Sequence, residues 1–168
     1  SEGSLEAHAL NLIGDRWALL VMRELMFAPK RFQQIRAGLP GISAKVLSER
    51  LGQLRAIEVV IYDDMAKLYN LTRIGRSLLP VMIELCRWAL TVPGFDRTRF
   101  ISPAALLLSM NAILSPDRAK ECDLLAGFDF GIEAFEIRLS KEGLLTAAVN
   151  RPATPFVLSG SGNAITAA

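Results

Sequence analysis

The sequence has few of the residues on which metal and nucleophilic chemistry depend. Its 168 residues include one histidine, His8, and two cysteines, Cys86 and Cys122. Neither cysteine has a second cysteine or a histidine at the spacing of a zinc site. A single histidine also excludes most Ser-His and Cys-His catalytic schemes. We therefore expect no catalytic residues, no metal and no cofactor, and we interpret both cysteines as buried small hydrophobic residues, with a redox-sensing thiol as the alternative.

Long hydrophobic runs are also missing, although 51% of the residues are hydrophobic. A membrane-spanning helix needs roughly 18 uninterrupted apolar residues, and Arg87 and the Pro93-Gly94 pair interrupt the longest candidates. The N-terminal SEGSLEAHAL lacks the basic region of a secretion signal. These absences predict a soluble, cytoplasmic protein with a substantial core.

The net charge is only +2, but it is unevenly distributed. Residues 1–93 carry 12 Lys+Arg and 9 Asp+Glu, a net of +3, whereas residues 94–168 carry 7 and 8, a net of −1. The basic excess in the first part is weak evidence for a polyanionic partner.

The segment from Phe27 to Leu71 has the order of parts of a winged helix-turn-helix. Residues 31–37 form a predicted short helix, which the Gly38-Leu39-Pro40-Gly41 turn ends. Ser43 is the predicted N-cap of the next helix, which runs to about Ala56. On that helix Leu47, Leu51 and Leu54 form one apolar stripe, which leaves the opposite polar face available to DNA.

Two strands and flanking helices complete this domain. Residues 58–63 and 67–71 are rich enough in β-branched and aromatic residues to form a hairpin, the candidate wing. Upstream, apolar spacing predicts two helices separated near Gly14, with Asp15 capping the second. Downstream, Thr72 is the predicted cap of a long helix that ends before Pro93, and Pro80 should kink or break it.

The polar face of the helix that begins at Ser43 contains the candidate base-facing residues. A helix in the major groove reads base edges with side chains near its N-terminus, while flanking cations bind phosphates. The predicted base-facing residues are Ser43, Ala44, Lys45, Ser48 and Glu49, and the predicted backbone contacts are Arg31, Arg50, Arg55 and Lys67. The alternative for each is a solvated surface residue.

Dimerisation is part of the predicted mechanism. A few cations in one subunit would bind DNA weakly, and the first and last helices of the domain carry more apolar surface than a small domain buries. Pairing across a two-fold axis would place two recognition helices about one DNA turn apart. The alternative is that this surface packs against the C-terminal region.

The chain changes character after Pro93. Residues 94–102 form a predicted linker, and residues 103–168 a small α+β domain with a helix over 104–114 and strand-like runs near 135–139, 144–149 and 156–158. The Glu142-Gly143 pair predicts a hairpin between the first two of these runs. The final SGSGNAITAA resembles the start of another element, which suggests that the natural chain continues.

Residues 10–90 resemble the HxlR family of bacterial winged helix-turn-helix transcriptional regulators. The motifs that carry the resemblance are IGDRWALLVMREL, APKRFQQI, LPGISAKVLSERLGQLRAIEVV and YNLTRIGRSL. The resemblance implies dimeric DNA binding, with the helix that begins after Ser43 as the recognition helix. Two departures stand out: Ser4 is near the place of the family's sensor cysteine, and Ile57-Glu58 replaces the usual glycine after the recognition helix.

The C-terminal part resembles, more faintly, the sterol-carrier-protein type of fold, in which a sheet and helices enclose an apolar cavity. That resemblance implies a site for a fatty or isoprenoid ligand. The residues that would line it are Leu107, Met110, Phe128, Phe130, Phe135, Ile137 and Leu139. The alternative is that these residues are ordinary core.

The combined prediction is a cytoplasmic homodimeric transcriptional regulator of α+β class, with a winged helix-turn-helix domain over 1–93 and a ligand-sensing or dimer-supporting domain over 103–168. Its partners would be double-stranded DNA, a second copy and an apolar ligand, with no membrane. An apolar-ligand carrier whose winged helix mediates protein contacts is the alternative. Asp129, Glu133 and Glu136 form the tightest cluster of acids in the C-terminal half, but strand alternation puts Glu136 on the solvent side, which argues against an enzyme.

Overall fold

The computed structural model describes residues 3–114 and 123–167, so Cys122 lies outside the described residues. The chain divides into two compact units, Ser1–Leu78 and Leu79–Ala168. The division into independent domains at 1–93 and 103–168 remains a prediction. Among the described residues no helix is both long and apolar enough to cross a membrane.

The first unit begins with helices α1 (Leu5–Ile13) and α2 (Arg16–Leu25), separated where predicted. Asp15 caps α2, because its Oδ1 accepts from the N–H groups of Trp17 and Ala18 at 2.9 and 3.2 Å. The apolar face of α2 lies in the core. All nine residues of α1, in contrast, remain at least partly exposed.

Helices α3 (Phe32–Ala37) and α4 (Ala44–Ala56) form the helix-turn-helix. The turn between them places Gly41 at a φ of 90°, a conformation that glycine adopts at little cost. Ser43 caps α4 as predicted, with its hydroxyl accepting from Val46 N–H at 3.2 Å. The predicted stripe of Leu47, Leu51 and Leu54 is buried and packs α4 into the core.

The wing consists of β1 (Val60–Asp63) and β2 (Leu68–Leu71), an antiparallel pair as predicted. Lys30 extends this pair: its N–H donates to Tyr69 C=O at 3.0 Å, and Tyr69 N–H donates to Lys30 C=O at 2.8 Å. The hairpin therefore has a third strand-like segment, which precedes α3 in the sequence.

The continuous helix predicted after Thr72 is interrupted. Thr72 caps only the short α5 (Arg73–Arg76), and the chain begins α6 (Leu79–Thr91) after a break. Pro80 is the second residue of α6. A proline has no N–H for the carbonyl four residues earlier and clashes with it, so Pro80 marks a helix start rather than a kink.

The second unit contains α6, α7 (Pro103–Ile113), a four-stranded sheet and the short α8 (Gly162–Ala167). The strands are β3 (Leu124–Asp129), β4 (Ala134–Ser140), β5 (Gly143–Val149) and β6 (Val157–Ser159), in the order β5-β4-β3-β6. The predicted β4–β5 hairpin is confirmed. β6 pairs in parallel with β3. The sequence did not predict β3 as a strand.

Candidate nucleic-acid interface

The exposed face of α4 brings together the residues predicted to face the bases. Because the leucine stripe holds the opposite side of the helix in the core, the polar side chains point to solvent. Ser43, Ala44, Lys45, Ser48 and Glu49 are all exposed, and they lie in the N-terminal half of the helix. This half offers an ammonium and a hydroxyl as donors, with a carboxylate and a hydroxyl as acceptors, which suits hydrogen bonds to base edges.

Three of the cations predicted to contact phosphates are exposed. Arg31 precedes α3, where its backbone N–H donates to Gln34 Oε1 at 2.8 Å. Lys67 lies in the turn of the wing, with its Nζ 3.5 Å from Asp64. Arg55, at the end of α4, places its guanidinium 5.7 Å from the centre of the Tyr62 ring. All three belong to the same unit as α4.

Arg50, the fourth predicted cation, lies in a different environment. It is half-buried, and its Nε lies 3.2 Å from Asp15 Oδ1. Its Nη1 also donates to Gln53 Oε1 on the same helix. The structure therefore gives Arg50 contacts within the chain, whereas Lys45 on the same helix is exposed.

The wing carries an aromatic pair, Tyr62 and Tyr69, near Arg55 of α4. The rings of Tyr62 and Tyr69 lie 4.6 Å apart between their centres. Burial raises the pKa of Tyr69, the charge of Tyr62 raises it further, and Arg55 opposes the shift. The phenol of Tyr69 therefore stays neutral to a higher pH than an ordinary tyrosine.

A buried ionic cluster, which the sequence analysis missed, lies behind this surface. Glu24 is fully buried on α2, Lys30 is 3% exposed, and the Glu24 carboxylate contacts both Lys30 and Arg23. We call Arg23, Glu24 and Lys30 the Glu24 cluster. A signal was available: Glu24 follows Val21 by three residues, so it falls on the apolar face of the helix.

The residues predicted to line an apolar site lie in the second unit. The strand register puts Phe128, Phe135, Ile137 and Leu139 on one face of the sheet, and Phe130 follows β3 and packs edge-on to Phe135. Leu107 is fully buried on α7, and Met110, one turn later, is half-buried. Phe128, Phe135 and Ile137 are almost fully buried as well. Core packing accounts for this burial without a ligand, and the sterol-carrier type of fold remains a prediction.

Comparison with known proteins agrees with the geometry of the first unit. The family model of the HxlR-like helix-turn-helix matches residues 12–93. YvaP of Bacillus subtilis, an HTH-type transcriptional regulator, is 34% identical over 103 residues, which cover 58% of this chain and 88% of YvaP. The chain belongs to the HxlR-like helix-turn-helix family. Its helix-turn-helix and wing, the elements that carry the exposed cations, lie inside the matched region.

Other HTH-type transcriptional regulators extend the comparison. YodB of Bacillus subtilis, also an HTH-type transcriptional regulator, is 38% identical over 86 residues, covering 48% of this chain and 77% of YodB. A regulator of Mycobacterium tuberculosis is 37% identical over 94 residues, and the chain spans 58% of its length. The crystal structure of quinone-bound YodB aligns with a TM-score of 0.48 over 52% of this chain and 97% of that one. The family match and the identity to YvaP and YodB identify the chain as a transcriptional regulator of the HxlR type.

Proposed function

We propose that this HxlR-type regulator binds double-stranded DNA as a homodimer, with α4 in the major groove and the wing on the phosphate backbone. The observation that carries the proposal is the division of α4 into two faces. Its leucines are buried, while Lys45, Ser48 and Glu49 are exposed on the other face. Arg31, Arg55 and Lys67 supply the positive charge that attracts phosphates.

The exposed apolar residues of α1 support the proposed dimer. Leu5, Leu10 and Leu12 are 86%, 65% and 43% exposed on one short helix. Exposed apolar residues in this density are typical of a surface that another protein covers. A second copy is the partner that a two-fold-symmetric regulator requires, because it doubles the number of cations on one stretch of DNA.

A comparison of two lysine substitutions tests the DNA interface. The probe is a duplex that the unsubstituted protein selects from a randomised library, and its affinity is measured over a range of salt concentrations. We expect Lys45→Ala to weaken binding about tenfold or more, the effect of losing a base contact or a strong phosphate contact. Lys141→Ala, an exposed lysine of the second unit, should leave binding unchanged. Equal effects of the two substitutions, or affinity independent of salt, would refute the proposed interface.

We also propose that an apolar ligand held near Phe128, Phe135 and Ile137 shifts the dimer between states of different DNA affinity. The support is the continuous apolar face of the sheet, where these side chains meet. Fluorescence titration with long-chain fatty acids, followed by the same duplex assay with and without them, tests the coupling. Unchanged DNA affinity at saturating ligand would exclude it, and lipid binding without DNA binding would favour an apolar-ligand carrier.

A further inference from the structure

The Glu24 carboxylate accepts hydrogen bonds from two cations that reach it from different directions. Arg23 Nη2 and Nε donate to Oε1 at 2.7 and 3.0 Å. Lys30 Nζ donates to Oε2 at 3.1 Å. Since Glu24 is fully buried and Lys30 nearly so, this cluster is screened little by solvent.

Each cation connects Glu24 to a different segment of the candidate interface. Arg23 Nη2 also donates to Gly38 C=O, at 3.2 Å, in the turn that leads into α4. The backbone of Lys30 forms both hydrogen bonds with Tyr69 on β2 of the wing. One carboxylate is thus linked, through its two cations, to the turn before the recognition helix and to the wing.

The surroundings of Glu24 leave little room for another arrangement. A Cβ added to Gly38 would lie 2.2 Å from Glu24 Oε2, so the turn packs directly against the carboxylate. A buried carboxylate that loses a cation keeps the cost of its desolvation without the compensating attraction. Displacement of the wing together with Lys30 would therefore separate a buried ion pair, and displacement of the turn would break the hydrogen bond from Arg23 to Gly38.

We infer that Glu24 is a positioning residue, which fixes the wing relative to the recognition helix so that Lys67 and Lys45 contact one duplex together. The inference rests on the proposed function, because it requires both lysines to contact DNA. Glu24 itself touches no DNA. Glu24 acts on the wing through Lys30, and it acts on the turn before α4 through Arg23.

A double-mutant cycle tests the inference. Lys30→Met cuts the side-chain contact with Glu24, keeps the aliphatic length, and leaves the backbone hydrogen bonds with Tyr69 available. Lys67→Ala and Lys45→Ala are each introduced into the parent and into Lys30→Met, and binding to the selected duplex is measured against salt concentration. Circular dichroism at the assay temperature confirms that each variant is folded.

We expect Lys67→Ala to reduce the salt slope by about one in the parent, as for one lost phosphate contact, and to change it little in Lys30→Met. Lys45→Ala should weaken DNA binding by the same factor in the parent protein and in Lys30→Met. Lys30→Arg, which retains the cation, should restore the effect of Lys67→Ala.

Two results would overturn the inference. If both lysine effects are unchanged in Lys30→Met, the cluster is only structural; if both disappear, the substitution disturbs the whole surface rather than the wing. Glu24→Gln, which retains the shape of the side chain, repeats the cycle should Lys30→Met be unfolded. Failure of the proposed function gives a different result, because Lys45→Ala and Lys67→Ala would then have no effect in the parent itself.

Discussion

Asp15 Oδ1 lies 3.2 Å from Arg50 Nε on α4, and the same oxygen caps α2 by accepting from the N–H groups of Trp17 and Ala18. One carboxylate oxygen therefore serves two helices. The pair is partly exposed, with 26% of the Arg50 side chain and 40% of the Asp15 side chain accessible. The ion pair should consequently contribute little to the free energy of unfolding. The helix cap makes a separate contribution to it.

Substitutions of Asp15 should separate these two contributions. Asp15→Asn keeps an oxygen that can cap α2 but removes the charge, so we expect a loss below about 1 kcal/mol in the free energy of unfolding. Asp15→Ala also removes the cap and should cost about 1 kcal/mol more. Urea denaturation measures both. Equal losses for the two variants would show that the cap contributes nothing.

Glu58 should be replaceable by glycine with a gain in stability. It follows α4 with a φ of 58°, a left-handed conformation that costs a side-chain-bearing residue about 1–2 kcal/mol. Glycine removes that cost but adds entropy to the unfolded chain, so we expect Glu58→Gly to stabilise by roughly 0.5 kcal/mol. Glu58→Ala retains the strain and is the control. Equal midpoints of thermal unfolding for Glu58→Ala and Glu58→Gly would contradict this explanation.

Two glycines of the helix-turn-helix should respond in opposite directions to alanine. A Cβ on Gly52 of α4 would meet nothing within 4 Å, so Gly52→Ala should stabilise by about 1 kcal/mol through helix propensity. Gly38→Ala, in contrast, forces a methyl group onto the Glu24 carboxylate and should destabilise the protein. The midpoints of denaturant unfolding measure both effects. A stable Gly38→Ala variant would mean that the Glu24 cluster can rearrange.

The alkaline titration of Tyr69 should be observable in isolation. The chain has two tyrosines, so Tyr62→Phe leaves Tyr69 as the only phenol. Burial keeps the pKa of Tyr69 above its usual value of 10.0 in this variant, although loss of the Tyr62 charge should lower the pKa relative to the parent. Adding Arg55→Gln to this variant should raise the pKa of Tyr69, because the charge of Arg55 lowers it. Absorbance of the phenolate against pH measures all three.

The sign of the linked stability follows from that shift. Because the folded-state pKa of Tyr69 is raised, its contribution to stability is complete below the unfolded value and is lost as the pH rises through the folded value. Stability measured by denaturant above pH 10 should therefore fall less steeply in Tyr69→Phe than in the parent. An identical pH dependence would show that Tyr69 is not responsible.

Association through α1 should depend on the apolar character of Leu10. Leu10→Glu places a charge on the exposed face of α1, and we expect it to shift the proposed dimer to monomers. Met65→Glu is the matched control, because Met65 is 94% exposed in the wing turn and lies outside α1. Sedimentation analysis should find the control variant unchanged. Dimers that persist in Leu10→Glu would exclude α1 as the contact.

The elements predicted from the sequence are those with local signals. The Asp15 and Ser43 caps, the leucine stripe of α4 and the β4–β5 hairpin each depend on residues close together in the chain, and the structure confirms them. The assignment of individual DNA-contacting residues stays a prediction.

The features that the sequence did not reveal depend on distant residues. The Lys30–Tyr69 bridge joins segments on opposite sides of the helix-turn-helix. β3 contains Gly127, which weakens a strand pattern, yet the glycine is required because a Cβ there would lie 2.4 Å from Pro152. Only the folded chain brings Pro152 to that position.

The parallel pairing of β6 with β3 has a kinetic consequence. Gly127 pairs with Val157 after the chain has passed through both other strands of the sheet, so the far edge of the sheet forms only when distant segments meet. Contacts of this kind close slowly, whereas hairpins and short helices close early. During synthesis, residues 3–78 can therefore acquire their native contacts before the later sheet is complete.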